Sequence, residues 1–216
     1  MSFMELFKNS LPSLISGLGV TMKIAIVALI IATIAGIIFG LMSISKSKIL
    51  RGISIVYIYI VRGTPLMIQA VFIYLGLGQA LNVRFDPVLA GIVILGFNAG
   101  AYLAEIFRGG IEAVDKGQME AARSLGLSNS KAMIKVVLPQ AIKIMIPSIL
   151  NQFIIAIKDT SILSVIGIRE LMQSGQIIVG TTYKAFEIYG MVAMMYLIII
   201  TILTLISKAI ERRLAS

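Results

Sequence analysis

The chain has no cysteine, no histidine and no tryptophan, and only 13% of its 216 residues are charged. Without cysteine there is no disulfide framework and no thiol nucleophile. Without histidine there is no imidazole base, and the usual zinc ligand sets are missing. No catalytic residue and no metal site is therefore assigned. The scarcity of charge says more. Hydrophobic side chains make up 58% of the chain and the mean hydropathy is +0.99, more than a water-soluble domain can bury. The chain reads as an integral membrane protein. Its 19 Lys and Arg against 10 Asp and Glu leave a net charge of +9, and in a membrane protein that excess belongs to short loops and reports orientation. A nucleic-acid partner is a poor reading of it.

A membrane-spanning helix needs about 20 apolar residues, because the hydrocarbon is roughly 30 Å thick and a helix rises about 1.5 Å per residue. Residues 24–44, 87–104 and 188–207 qualify without a charge, and residues 52–80 and 144–168 qualify with internal charges, Arg62 in the first and Lys158-Asp159 in the second. The expectation is an all-α polytopic protein with five spans. The first span is too long for a signal-peptide core and is followed by Lys46, Lys48 and Arg51, so it reads as retained. Those three, the basic residues between Arg108 and Lys143, and Lys208, Arg212 and Arg213 in the tail hold most of the positive charge. The positive-inside rule then puts the N-terminus outside and the C-terminus inside. Before the first span, Phe3, Phe7, Leu11, Leu14 and Leu18 recur at helical steps. They suggest either a short amphipathic helix in the outer interface, which Pro12 would break, or a longer first span.

About 35 residues separate the third span from the fourth, too many for a connector without structure or function. The stretch from Lys116 to Leu125 is rich in helix formers, and Gly126 stands where a helix C-terminus takes a left-handed residue. Ser128, Asn129 and Ser130 offer N-caps for a second short helix, which Pro139 is expected to end. Small residues at Ala121 and Ala122 beside a tight glycine corner suit close docking by a partner; the alternative is a connector packed on its own helix ends.

The run Glu120-Ala-Ala-Arg-Ser-Leu-Gly126, followed by Val136-Val-Leu-Pro139, resembles the EAA loop of permease subunits from ATP-binding cassette importers, departing at Val136, where isoleucine is usual. Arg62-Gly-Thr-Pro-Leu66, Arg108-Gly-Gly-Ile111, Gly117-Gln118, Leu138-Pro-Gln-Ala141, Pro147, Asn151 and Lys158-Asp-Thr-Ser161 are similar to the polar amino-acid branch of that family. The resemblance covers about 17–166. It implies a type I importer permease: a single transmembrane domain over 1–216 with a cytoplasmic coupling loop over 108–143. It also implies a bacterial inner-membrane location, pairing with a second permease, read as a homodimer, two ATPase subunits that hold ATP and magnesium, and an external amino-acid-binding protein. Glu120, Ala121, Ala122, Arg123, Leu125 and Gly126 would be the contacts of the coupling helix with the ATPase. The sequence itself has no Gly-Lys pair and hence no phosphate-binding loop of the Walker type, so this chain is not the motor and binds no cofactor of its own.

Ionisable groups inside spans are costly and are functional-site hypotheses by default. Arg62 precedes Gly63-Thr64-Pro65, where proline bends the helix and frees carbonyls; Arg62 is expected either to satisfy them or to touch cargo. Asn98, Tyr102, Glu105 and Arg108 follow at steps of four, three and three, one stripe on the third span. The stripe lines a pathway or a dimer seam, unless Glu105 and Arg108 merely anchor the helix. Lys158 and Asp159 are adjacent on a helix, so they point apart and at least one seeks another partner. Asp159 and Glu105 are accordingly assigned to cationic groups of an amino-acid cargo, and Gln69, Asn98, Tyr102 and Thr160 complete the candidate binding set. Lys158-Asp-Thr-Ser161 as a structural kink is the competing reading. The rival for the whole protein is an ion-gradient-driven carrier or channel with Glu105 and Asp159 as relay.

Overall fold

The computed structural model describes residues 3–215. These residues fold into helices only: α1 Phe3–Ser43, α2 Lys48–Gly63, α3 Leu66–Ala80, α4 Pro87–Glu112, α5 Lys116–Ser124, α6 Asn129–Ile166, α7 Leu171–Thr182 and α8 Ala185–Ala215. Four of them, α1, α4, α6 and α8, are each long and apolar enough to cross a membrane. The pair α2 and α3 makes a fifth candidate span, bent by 103° at the Gly63–Pro65 break. The broken span has a local cause. A residue before proline is driven out of the helical region, and Thr64 is extended (φ −122°, ψ 141°).

The architecture is organised by α1 against α4. Both helices present glycine at four-residue steps where they touch. A Cβ on Gly36 would lie 2.6 Å from Leu103 Cβ, and one on Gly40 3.0 Å from Phe107 Cβ. Across the seam a Cβ on Gly96 would meet Ile31 Cγ2 at 2.8 Å and one on Gly100 the Ala35 Cβ at 2.9 Å. Ala28, Ala32 and Ala35 fill the turns between them and are buried. Lipid is as apolar as leucine, so close backbone approach through small residues is what drives such pairs together. Around this seam, α6 packs through Ala156 onto Ala99 and Leu103. The α3 residues Leu66 and Ala70 join Leu95, Leu163 and Ile168 in the largest core. Lipid-facing sides are apolar and exposed: Ile30, Ile34 and Leu41 on α1, and Leu197, Ile202 and Leu205 on α8.

Two expectations need correction. The N-terminal segment is not a separate interfacial helix, and Pro12 does not break it; α1 runs unbroken for 41 residues. Leu6 and Leu14 are buried against Leu171, Ile188 and Val192, so α7 and α8 hold the helix together across the proline. Nor does Pro139 end the second loop helix. That helix is the start of α6, which continues through a π-helical stretch, Met133–Val137; the widened turn accommodates the missing N–H and the ring that would clash with the carbonyl four residues back. The loop corner forms as expected. Gly126 is left-handed (φ 85°), Leu127 N–H donates to Ala122 O at 3.2 Å and Gly126 N–H to Arg123 O at 2.9 Å, the paired bonds of a Schellman ending. Ser128 caps the next turn by accepting from Lys131 N.

The seam makes a specific prediction. Gly36→Ala must push Leu103 aside and should lower the thermal midpoint of the protein in detergent by several degrees, since overpacking costs about 1–3 kcal/mol. Gly52→Ala on α2, where a Cβ meets nothing within 4 Å, should leave the midpoint unchanged or raise it.

Candidate functional site

Breaking a helix inside a membrane frees carbonyls that water cannot reach. At this break the partner is Gln69. Its amide nitrogen donates to Val61 O at 2.8 Å, to Thr64 O at 3.0 Å and to Thr64 Oγ1 at 2.8 Å. Its carbonyl oxygen accepts from Asn98 Nδ2 at 3.0 Å, which ties the break to α4. Arg62, expected from sequence as a candidate for this task, points elsewhere, because a short amide one turn beyond the break reaches the carbonyls from within while the longer guanidinium finds a carboxylate. Arg62 Nη1 donates to Glu105 Oε2 at 3.1 Å and its guanidinium carbon lies 5.2 Å from the centre of the Tyr102 ring, within cation–π range.

The stripe on α4 is therefore real and has a direction. Asn98 is buried, and Tyr102 and Glu105 are half-buried on the same face. Arg108 clasps Glu105 with two parallel bonds, Nε to Oε1 at 3.0 Å and Nη2 to Oε2 at 3.1 Å, and reaches Glu112 through Nη1 at 2.7 Å. Arg62, Glu105, Arg108 and Glu112 thus form a charge ladder in the geometry that suits bidentate guanidinium–carboxylate pairing. The ladder lines a cleft of about 1470 Å³ that extends to Asp115, Lys116 and Met119 at the start of the loop.

Next to the ladder lies a smaller cavity of about 510 Å³, lined by Arg62, Thr64, Asn98, Tyr102, Gln152 and Asp159 among others. Its size falls within the roughly 300–1,000 Å³ of small-molecule sites. Of the six candidate binding residues, the cavity brings together three: Asn98, Tyr102 and Asp159. Glu105 sits in the neighbouring cleft, held by two arginines. Gln69 lines an apolar groove instead, with its amide committed to the break. Thr160 is fully buried and donates to Ile157 O at 2.7 Å. Asp159 differs from the other acidic groups at the site: among the described residues it has no hydrogen-bond or ion-pair partner. Lys158 is exposed and forms no ion pair with Asp159, as expected for neighbours on a helix. The motif Lys158-Asp-Thr-Ser161 is thus divided. Thr160 and Ser161 cap the end of the α-helix, Ser161 by donating to Lys158 O at 2.7 Å, and Asp159 faces the cavity.

At the corner, Glu120, Ala121, Arg123 and Gly126 are exposed and Leu125 is 85% exposed. Ala122 is buried, so it supports the corner from beneath and is no part of the outward surface. Gln152 appears in the sequence only as a neighbour of Asn151, and its place in the cavity needed the fold. Glu170 escaped notice altogether; an acidic residue just ahead of helix formers is its one signal, that of an N-cap.

A polytopic helical membrane protein with a broken span beside a polar cavity and an exposed helical corner is the class that the geometry defines. Residues 32–216 match the family described as binding-protein-dependent transport system inner membrane components, and the chain belongs to that family. It is 40% identical over 206 residues to the glutamine transport system permease protein GlnP of Escherichia coli strain K12, covering 95% of this chain and 94% of that one. It is 39% identical, with the same coverage, to the arginine transport system permease protein ArtQ of Bacillus subtilis strain 168. A crystal structure of an amino acid ABC transporter with histidines superposes with a TM-score of 0.93 over 99% of both chains at 39% identity. The fold is also that of the methionine ABC transporter MetNI in an inward-facing conformation, with a TM-score of 0.79 at 21% identity over 94% and 96% of the chains. The protein is thus a multi-pass inner-membrane transport component.

The break predicts its own sensitivity. Gln69→Leu keeps the volume but strands two carbonyls and the Asn98 amide; it should destabilise the protein by about 1–3 kcal/mol, read as a lowered thermal midpoint, whereas Gln152→Leu in the cavity should cost less.

Proposed function

We propose that this chain is the permease subunit of an ATP-driven importer of polar, cationic amino acids, and that the unpaired Asp159 carboxylate in the polar cavity is the observation that carries the reading. A half-buried carboxylate with no direct ion pair attracts a cationic group from the cargo. Asn98 and Tyr102 supply neutral hydrogen bonds beside it, and Arg62 at the cavity edge offers a positive group to the cargo carboxylate. The relatives' names, with glutamine and arginine as cargo, support an amino acid and divide over its charge; Asp159 favours the cationic class. Glu105 is best read as part of the ladder that closes the inner mouth of the pathway, since both its oxygens are already taken. That also weakens the rival reading of an ion-driven carrier, which needs Glu105 as a free relay.

The working assembly is two permeases, read as a homodimer, with two ATPase subunits that bind ATP and magnesium and an amino-acid-binding protein outside. The N-terminus is placed outside and the loop corner and C-terminus inside, following the basic residues. The corner from Glu120 to Gly126 is the grip of the ATPase: Leu125 stands out as an apolar knob, flanked by Glu120 and Arg123, on a turn held rigid by its Schellman bonds. Closure of the ATPase dimer would move both corners together, and packed helices would carry the displacement to the cavity. The chain itself makes and breaks no covalent bond.

Two tests follow. In proteoliposomes holding the complete transporter and its binding protein, Asp159→Asn should reduce uptake of lysine or arginine by at least about ten-fold, the worth of one charged hydrogen bond, and reduce glutamine uptake far less; an unchanged ranking of amino acids would refute the assignment. Gly126→Val places a branched side chain at φ 85°, which only glycine adopts without strain, and should abolish cargo-stimulated ATP hydrolysis while the permease still assembles in the membrane. Normal coupling in that variant would remove the corner from the mechanism.

A further inference from the structure

The small cavity and the large cleft share one stretch of wall, Arg62-Gly63-Thr64, which lines both. Arg62 is its one charged side chain, so a single guanidinium borders the chamber that holds Asp159 and the chamber that holds Glu105. The backbone puts it there. Arg62 stands in the last turn of α2, and Thr64 just beyond is already extended. The guanidinium carbon lies 5.2 Å from the centre of the Tyr102 ring, and Tyr102 is itself part of the wall of the small cavity.

Within the ladder Arg62 is the partner that can be released. Glu105 accepts one bond from it, Nη1 to Oε2 at 3.1 Å, whereas Arg108 grips both carboxylate oxygens, Oε1 at 3.0 Å and the same Oε2 at 3.1 Å. If Arg62 leaves, Glu105 keeps its bidentate pair and no carboxylate is stranded. Arg62 in turn carries five N–H donors, and among the described residues one of them is committed to a hydrogen bond. The aromatic contact does not fix its direction, because attraction to a ring face lets the guanidinium turn without losing the interaction. Arg62 and Asp159 line the same cavity without pairing, so a positive and a negative group stand apart there, as the two charged ends of an amino acid do.

We propose that Arg62 is a cargo-sensing switch that exchanges one carboxylate for another: Glu105 holds its charge while the cavity is empty, and the α-carboxylate of the amino acid takes it when the cavity fills. Glu105 offers Arg62 a single bond, and a cargo carboxylate can accept two parallel ones. The proposal rests on the reading of the cavity as the cargo site and adds a competition to it. Each binding event must draw Arg62 off Glu105, so Glu105 lowers the affinity for cargo without touching it. The wall between cavity and cleft then changes its pairing only when a ligand with a carboxylate arrives. A ladder that merely holds α2 against α4 has no such dependence on the ligand.

The test is binding of lysine and of lysinamide, which keeps the cationic groups and lacks the carboxylate, to the purified permease–ATPase complex in detergent. Glu105→Gln removes the competitor. It should tighten lysine binding about two- to five-fold, the worth of an ion pair whose side chains are 41% and 27% exposed, and leave lysinamide unchanged. Arg62→Gln should bring the two ligands to equal affinity, and in that background Glu105→Gln should no longer tighten lysine, the signature of two residues acting through one. Should Glu105→Gln fail to assemble, Glu105→Asp, which draws the carboxylate back by one methylene, is read in its place with the same direction expected. Lysine binding that is unchanged or weakened in the Glu105 variant, or a gain shared equally by lysinamide, overturns the exchange while the cavity reading stands. Unaltered affinity for both ligands in Asp159→Asn instead fells the cavity reading, and this proposal with it.

Discussion

A backbone carbonyl in hydrocarbon has no water to fall back on, and the rest of this molecule is arranged around one place where several are freed at once. The chain breaks its second span at Thr64-Pro65, and Gln69 closes the wound by donating to Val61 and Thr64. Without that side chain, non-helical backbone at membrane depth would be untenable. With it, the break becomes a feature that the protein can build on. It turns α3 back by 103°, opens the cavity between the break and α4 and α6, and lets Arg62 leave the helix axis to meet Glu105.

Two kinds of glue hold the surroundings. Along α1 and α4 there is only shape: glycines and alanines bring the backbones so near that a single added Cβ would clash at 2.6 Å with Leu103. Elsewhere polar groups do the joining. Asn98 gives one amide N–H to Gln69, Glu105 meets two arginines, and Glu170 accepts from two backbone N–H groups and two hydroxyls. Against that background an acid with no partner has meaning. Asp159 is the one cavity-lining carboxylate, and it is left open where a small molecule can reach it. Satisfied groups make the scaffold, and the open carboxylate is the group on which the proposed cargo site rests.

The loop corner follows the opposite logic. It has little to bury, so its shape comes from backbone chemistry: two Schellman bonds, a left-handed glycine and a serine cap. A structure that holds its form through local hydrogen bonds can present an exposed leucine without collapsing onto it. Beyond the corner, α6 continues through the π-helical stretch at Met133–Val137 to Asp159, which ends the regular part of the same helix.

What could be read from the residues alone were the features governed by local rules. Span positions follow from apolar length, the stripe of Asn98, Tyr102, Glu105 and Arg108 from the 3.6-residue period, the broken span from proline, and the corner at Gly126 from the need for positive φ. Each depends on a few neighbouring residues and on no distant contact. The fold decided everything that depends on who meets whom across the chain. Pro12 and Pro139 look like helix ends locally, yet packing and a widened turn carry helices through both. Gln69 rather than Arg62 satisfies the break, because reach in three dimensions and not proximity in sequence selects the donor. Glu105 and Asp159 look alike as buried acids, and only the arrival of Arg62 from another helix separates a saturated carboxylate from a free one. Glu170 was silent in the sequence for the same reason: its partners Thr21 and Tyr196 lie 149 and 26 residues away, and a one-dimensional pattern has no term for a junction of three helices.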